Sequence, residues 1–266
     1  MDYAAIDQSL RATAYVMLPP LTDAERNEVL GYLLSRPVFP GSHIRVAAQK
    51  NSGILDPVSR DTVPNDSAIC ISLRDAILTP VILEKAMALT DFVSGYLGRD
   101  PALSYSANSF YTRPAQGPTR PDIQEFHRDA DDPAGFLAMF VYLTDVLNDE
   151  QGPHDIIGPD GVMRTIYGPA GTMFLAQTSH EHRGRRPLHG ERGIAWWRWC
   201  VSNPPDSYLW DQNSPISASE LGDRYPSDPR LRESLRLLVT TDLAPPQTVR
   251  MQARMNGKPL AVTVQG

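Results

Sequence analysis

The residues best suited to chemistry lie in the middle of the chain. His127-Arg128-Asp129 sets an imidazole and a carboxylate two positions apart, and His180 and His182 follow downstream. The motif is read at the start of the strand run, and residues i and i+2 of a strand share a face, so His127 and Asp129 can converge on one ion while Arg128 points away. Two neutral imidazoles and one carboxylate occupy one face of an octahedral iron(II) and leave three neighbouring positions open for a bidentate co-substrate and O2. Four protein ligands would instead close the site, as in structural zinc centres.

His180 and His182 share a parity, and both could face inward. His182 is favoured as the third ligand because Arg183-Gly184 follows it and Arg192 stands ten residues on (192 − 182), just ahead of the apolar run Gly193 to Val201. A guanidinium there can pair bidentately with the far carboxylate of 2-oxoglutarate while the near carboxylate and ketone chelate the metal. His180 is read as a group behind the ligand or as an ordinary strand histidine. His43, His154 and His189 have no partners at ligand spacing and are read as solvated loop residues. Asp131 and Asp132, before Pro133, read as turn residues.

Taken in order, Phe126-His127-Arg128-Asp129, Tyr142-Leu143-Thr144-Asp145-Val146, Gln151-Gly152-Pro153, and His182-Arg183-Gly184 with Arg192 resemble the phytanoyl-CoA dioxygenase family, over roughly residues 10 to 200. The opening Ala14-Tyr15-Val16-Met17-Leu18 belongs to the same pattern. The resemblance implies a mainly β, double-stranded β-helix (a cupin-like jelly roll) with flanking α-helices. It implies His127, Asp129 and His182 as ligands of Fe(II) and Arg192 as anchor of the co-substrate 2-oxoglutarate, with O2 as second co-substrate. It further places Arg113 of Thr112-Arg113-Pro114 where the family often has a Lys-Pro touching the co-substrate, and Phe140 where an aromatic lines its pocket. The implied reaction oxidises a C–H bond of a small metabolite or acyl substrate and releases succinate and CO2. Asp129 stands where halogenating relatives carry a small residue, which disfavours halogenation. One departure is Gly158-Pro159-Asp160-Gly161, where the family often shows Pro-Gly-Ser-His.

The elements that must position these residues are legible in part. Ala12 to Pro19 reads as a strand, and Thr22-Asp23-Ala24-Glu25 has capping-box spacing ahead of a helix carrying Val29, Leu30, Leu33 and Leu34 and stopping before Pro37. Val38 to Asp66 reads as loop with one short strand at most. Thr79-Pro80 opens a helix with Ile82, Ala86, Leu89, Val93 and Leu97 at helical spacing up to Gly98. Strands are expected at Ser104 to Thr112, Phe136 to Val146, Gly171 to Gln177 and Gly193 to Val201, with Trp196, Trp197 and Trp199 as core residues. No long helices alternate with these strands, so an antiparallel sandwich or barrel is expected rather than a doubly wound sheet. Residues 1–266 are read as one domain, with 203–266 an appendage bearing a helix from Asp228-Pro229 through Leu231, Leu235 and Leu238. Its expected role is packing or homodimer formation, with a lid over the site as the other role.

Composition sets the outer bounds. Of 266 residues 41% are apolar and 21% charged, a balance suited to a folded globular chain. The net charge of −6 argues against a broad phosphate-neutralising face, so nucleic acid is not expected as a partner. Lysine stands only at 50, 85 and 258, so most positive charge is guanidinium, suited to carboxylates. Cys70 and Cys200 form neither a disulfide framework nor a thiolate zinc site, no membrane span or leader is read, and a cytoplasmic location is expected. Two other functions fit the ligand pattern: a non-catalytic cupin-like binding module, and a zinc hydrolase that would need a general base not found at motif spacing.

Overall fold

A computed structural model of the chain describes residues 2–35, 39–40, 54–55, 69–73, 78–114, 125–129, 136–201, 216–240, 249–255 and 258–264. His43, Asp131 and Asp132 lie outside the described residues.

The chain opens with a helix that the sequence reading did not anticipate. In α1 (Tyr3–Thr13), Asp2 caps the first turn by accepting from the amides of Ala4 and Ala5, and Ile6 and Leu10 bury one stripe. Ala14 ends it in the left-handed region (φ 64°), so β1 (Tyr15–Leu18) is shorter than the expected strand. The capping box forms as expected: the Thr22 amide donates to Glu25 Oε2 (2.8 Å) and the Glu25 amide to Thr22 Oγ1 (3.3 Å), opening α2 (Asp23–Ser35). Short strands β2 (Phe39–Pro40), β3 (Ile54–Leu55) and β4 (Ile69–Leu73) precede α3 (Pro80–Leu97), which starts at Pro80 and ends on Gly98 in the left-handed region. Its Ile82, Ala86, Leu89 and Val93 are buried, each such side chain contributing roughly 1–3 kcal/mol by leaving water.

The body is β5 (Leu103–Thr112), β6 (Leu137–Tyr142), β7 (His154–Ile157), β8 (Met163–Ile166), β9 (Met173–Ala176), β10 (His182–Gly184) and β11 (Arg192–Cys200). The larger, seven-stranded sheet runs β1-β9-β6-β11-β5-β4-β2, and a three-stranded sheet runs β10-β7-β8. The tail adds β12 (Ile216–Ser217), α4 (Ala218–Leu221), α5 (Pro229–Leu235), β13 (Val239–Thr240), β14 (Val249–Met255) and β15 (Lys258–Val264). Helix α5 lies where Asp228-Pro229 predicts it: Asp228 caps it, and Ser234 Oγ donates to Ala102 O at the start of β5 (2.7 Å). The antiparallel pair β14 and β15, with β3 parallel to β15, was not anticipated.

Register decides which side chains face the site. Across the large sheet Ile194 pairs with Phe110 and Tyr142, Trp196 with Asn108 and Phe140, and Phe140 with Phe174. Partners share a face, so Thr112, Phe140, Tyr142, Phe174, Arg192, Trp196 and Arg198 form one face. The opposite face carries Tyr111, Met139, Val141, Leu175, Ala195 and Trp197, which pack in one core with α2 and α3. The small sheet covers the first face: His154 on β7 lies against Phe140 and Phe174, with ring centroids 5.0 and 5.4 Å apart. Two antiparallel sheets packed this way, with helices outside, are the expected jelly roll. The tryptophans divide: Trp197 and Trp199 fill the helix-side core, whereas Trp196 faces inward and stacks on Phe110 at 4.0 Å.

Candidate metal centre

His127 is not in a strand but in a single antiparallel bridge to His182, made by His127 N to His182 O (3.0 Å) and His182 N to His127 O (2.9 Å). This reciprocal pair turns both imidazoles to the same side. The Asp129 amide donates to Thr178 O (3.0 Å), which fixes the carboxylate two residues on. His127, Asp129 and His182 each offer one ligand atom within 4.8 Å of the others, close enough for one ion to reach all three.

The ring orientations suit that task. His127 Nδ1 lies 2.8 Å from Glu125 O and His182 Nδ1 2.9 Å from His180 O. A carbonyl only accepts, so each Nδ1 carries the proton and each Nε2 presents its lone pair. The two Nε2 atoms each stand 3.8 Å from an oxygen of Asp129. Burial pushes His182 down to about 4, which keeps it neutral at physiological pH. Burial alone would raise the Asp129 carboxyl, but Arg198 above all, and then the two histidines, hold it below its usual range. Arg198 Nη2 lies 3.0 Å from Asp129 Oδ2. The cluster contains His182 and not His180, which contributes its carbonyl and is only half-buried.

Arg192, 5% exposed, opens β11 on the inward face. Nη1 donates to Gly152 O (2.9 Å) and Nη2 to Thr112 Oγ1 (3.3 Å), Nε has no partner, and no carboxylate pairs with it among the described residues. Burial lowers its pKa to about 10, still charged at neutral pH. Gly184 makes room for it, and Gly152 supplies an acceptor. At Gly184 a Cβ would lie 2.4 Å from Arg192 Nη1, and at Gly152 (φ 74°) one would lie 2.5 Å from Arg185 O. Gly152-Pro153 is thus a turn that offers its carbonyl to the guanidinium.

Arg113 donates to Glu191 (2.8 Å), and Phe140 lies on the inward wall between Phe174 and Trp196. His154 corrects the sequence reading. It is a buried strand residue, 3% exposed, and burial holds its imidazole well below the ordinary histidine range. His189 is exposed as expected. The loop Gly158-Pro159-Asp160-Gly161 is the hairpin turn between β7 and β8, closed by Gly158 N to Val162 O (3.1 Å). Arg198 and the contact of Thr112 with Arg192 also went unread. Arg198 shares strand parity with Arg192, and that is the one signal that could have found it. Behind the site, buried Asp155 accepts from Arg183 Nε (2.9 Å) and Arg185 Nε (2.6 Å), while Arg183 covers the ring of Phe126 at 4.3 Å. This brace joins β7 to both ligand-bearing segments.

The triad and the Arg192 guanidinium, which has no carboxylate partner among the described residues, face one interior. The fold matches that of two solved structures. AviO1 from Streptomyces viridochromogenes Tue57 superposes with a TM-score of 0.50 at 14% identity, covering 77% of this chain and 97% of its own. An oxidoreductase of the 2OG-Fe(II) oxygenase family from Burkholderia pseudomallei superposes with a TM-score of 0.50 at 15% identity, covering 76% and 92%. No protein-family model matches the sequence, and no curated protein matches it. Among the described residues no helix is long and apolar enough to cross a membrane.

Proposed function

We infer that this protein is an Fe(II)- and 2-oxoglutarate-dependent oxygenase that oxidises a C–H bond of a small metabolite or acyl substrate. The observation that carries the reading is Arg192: a fully buried cation without a carboxylate partner among the described residues, in the same interior as a His-Asp-His cluster. An isolated buried charge is costly, and a site that keeps one is built for an anion. A metal-only binding module has no use for it.

His127, Asp129 and His182 would hold the iron, with His182 neutral and the carboxylate ionised. When bound, iron with 2-oxoglutarate and O2 supplies the oxidising power, with succinate and CO2 released. Arg192 receives the distal carboxylate of 2-oxoglutarate and so orients the oxo acid. Arg198 pairs with Oδ2 of Asp129 and would help keep that carboxylate ionised as a ligand. Phe110, Phe140, Phe174 and Trp196 form an aromatic wall that excludes water and sets a low local dielectric, strengthening both charge pairings. The ordered motifs around His127, Gly152 and His182 favour the phytanoyl-CoA dioxygenase branch of these enzymes.

The test is succinate release from purified protein with Fe(II), 2-oxoglutarate and O2 against a panel of small-molecule and acyl substrates. Release that needs iron and O2 and rises with one substrate is expected. Anaerobic, zinc-supported turnover would point instead to hydrolysis.

A further inference from the structure

His154 is a buried polar side chain that the reading above leaves without a task. It opens β7 on the inward face, where the ladder sets it opposite Gly184. Its backbone amide donates to Tyr142 Oη (3.1 Å), so the strand cannot rotate it outward without breaking a tie between the sheets. One face of the ring stacks on His182 (centroids 5.5 Å, 22° between planes), and Phe140 and Phe174 enclose it at 5.0 and 5.4 Å. Nε2 is fully buried and meets no hydrogen-bond partner among the described residues.

An imidazole nitrogen buried in an aromatic box without a partner among the described residues is costly, whereas an apolar ring of the same shape there would cost nothing. The polar atom therefore points to a ligand. Its place in the fold says which part of the ligand. His154 stacks on a metal-triad histidine, and across the ladder lies Gly184, the residue against which the Arg192 guanidinium is packed. It thus neighbours both the triad and the residue that abuts the buried cation. The distal carboxylate gripped by Arg192 has lone pairs to spare for a second donor.

Resting on the oxygenase reading of this site, we propose that His154 binds the co-substrate, its Nε2–H donating to the distal carboxylate of 2-oxoglutarate beside Arg192. The test is anaerobic calorimetric titration of the Fe(II)-loaded full chain with 2-oxoglutarate, and in parallel with 2-oxovalerate, which has a methyl in place of that carboxylate. His154→Phe keeps the aromatic box and removes the donor. It weakens 2-oxoglutarate by about tenfold or more, leaves 2-oxovalerate within about twofold, and leaves iron affinity unchanged. His154→Gln, which restores an N–H near the same position, recovers most of the loss. Equal 2-oxoglutarate affinity in wild type and His154→Phe overturns the proposal. A parallel loss for 2-oxovalerate or for iron also overturns it, assigning the ring to packing beneath His182. If the iron-loaded wild type binds no 2-oxoglutarate at all, the oxygenase reading itself falls. Should the phenylalanine variant not fold, His154→Met against His154→Gln carries the same comparison.

Discussion

Gly184→Ala separates the proposed anion anchor from the proposed metal ligands without replacing either. The added Cβ would sit 2.4 Å from Nη1, 2.6 Å from Nη2 and 2.9 Å from Cζ of Arg192, while ordinary contact begins at 3.4 Å. The guanidinium must therefore retreat by about 1 Å (3.4 − 2.4). Because the clash is with the tip of a side chain rather than with backbone, the fold survives. The 2.9 Å bond from Nη1 to Gly152 O does not, since a further ångström takes it beyond hydrogen-bond range. Losing one charged hydrogen bond and the alignment of the fork is worth roughly 1.5–3 kcal/mol, or about ten- to a hundredfold in the Kd for 2-oxoglutarate. Iron affinity stays as in wild type, because His182 and its bridge to His127 are two residues away and unclashed. Anaerobic titration of the iron-loaded protein with 2-oxoglutarate reads the first quantity, and metal titration reads the second. A 2-oxoglutarate Kd within twofold of wild type would refute the argument that this glycine exists to admit the guanidinium.

Other substitutions probe the rest of the site. Asp129→Ala removes a charged ligand and strips Arg198 of a buried partner, so iron stoichiometry collapses and thermal stability drops by about 3 kcal/mol; full metal occupancy by elemental analysis would falsify the ligand assignment. His182→Ala loses iron while His180→Ala keeps it, because His180 serves through its backbone carbonyl; the reverse order in a metal titration rules out the present triad. Asp155 makes stability depend on pH. Burial alone would raise its carboxyl, but hydrogen bonds from Arg185, Arg183 and Thr165 outweigh that and lower it, so its contribution is full above the unfolded carboxyl pKa near 4 and is lost as pH falls through the lower folded value. Asp155→Asn should lower stability by about 2 kcal/mol at neutral pH and flatten its acid limb in urea titrations, and an unchanged acid limb counts against the brace.

The cluster of candidate ligands was legible because their residue types and strand periodicity both leave marks at short range. His127 and Asp129 are two residues apart, and Gly184 and Arg192 follow His182 closely, so one-dimensional spacing carries most of the triad and the anchor. The capping box at Thr22, Pro80 opening α3, and Asp228-Pro229 opening α5 are likewise local rules that the folded chain obeys. Helix α1 was missed because its stripe is only Ile6 and Leu10, with Asp2 as the cap, a signal too short to outweigh the β-branched run after it.

His154 and Arg198 were beyond that reach. A histidine directly after a Gly-Pro turn has the local look of a solvated loop residue. Only the pairing of β7 with β10 and the closure of the small sheet over Phe140 and Phe174 show that it is dry. Arg198 gains its meaning from a carboxylate far away in the chain, held at 3.0 Å by a loop that docks through a single bridge. Residue types and spacing alone could name the atoms able to hold an ion and an anion. Which polar groups share their low-dielectric interior depends on sheet register and on how the two sheets face each other, and those are settled only when distant segments pack.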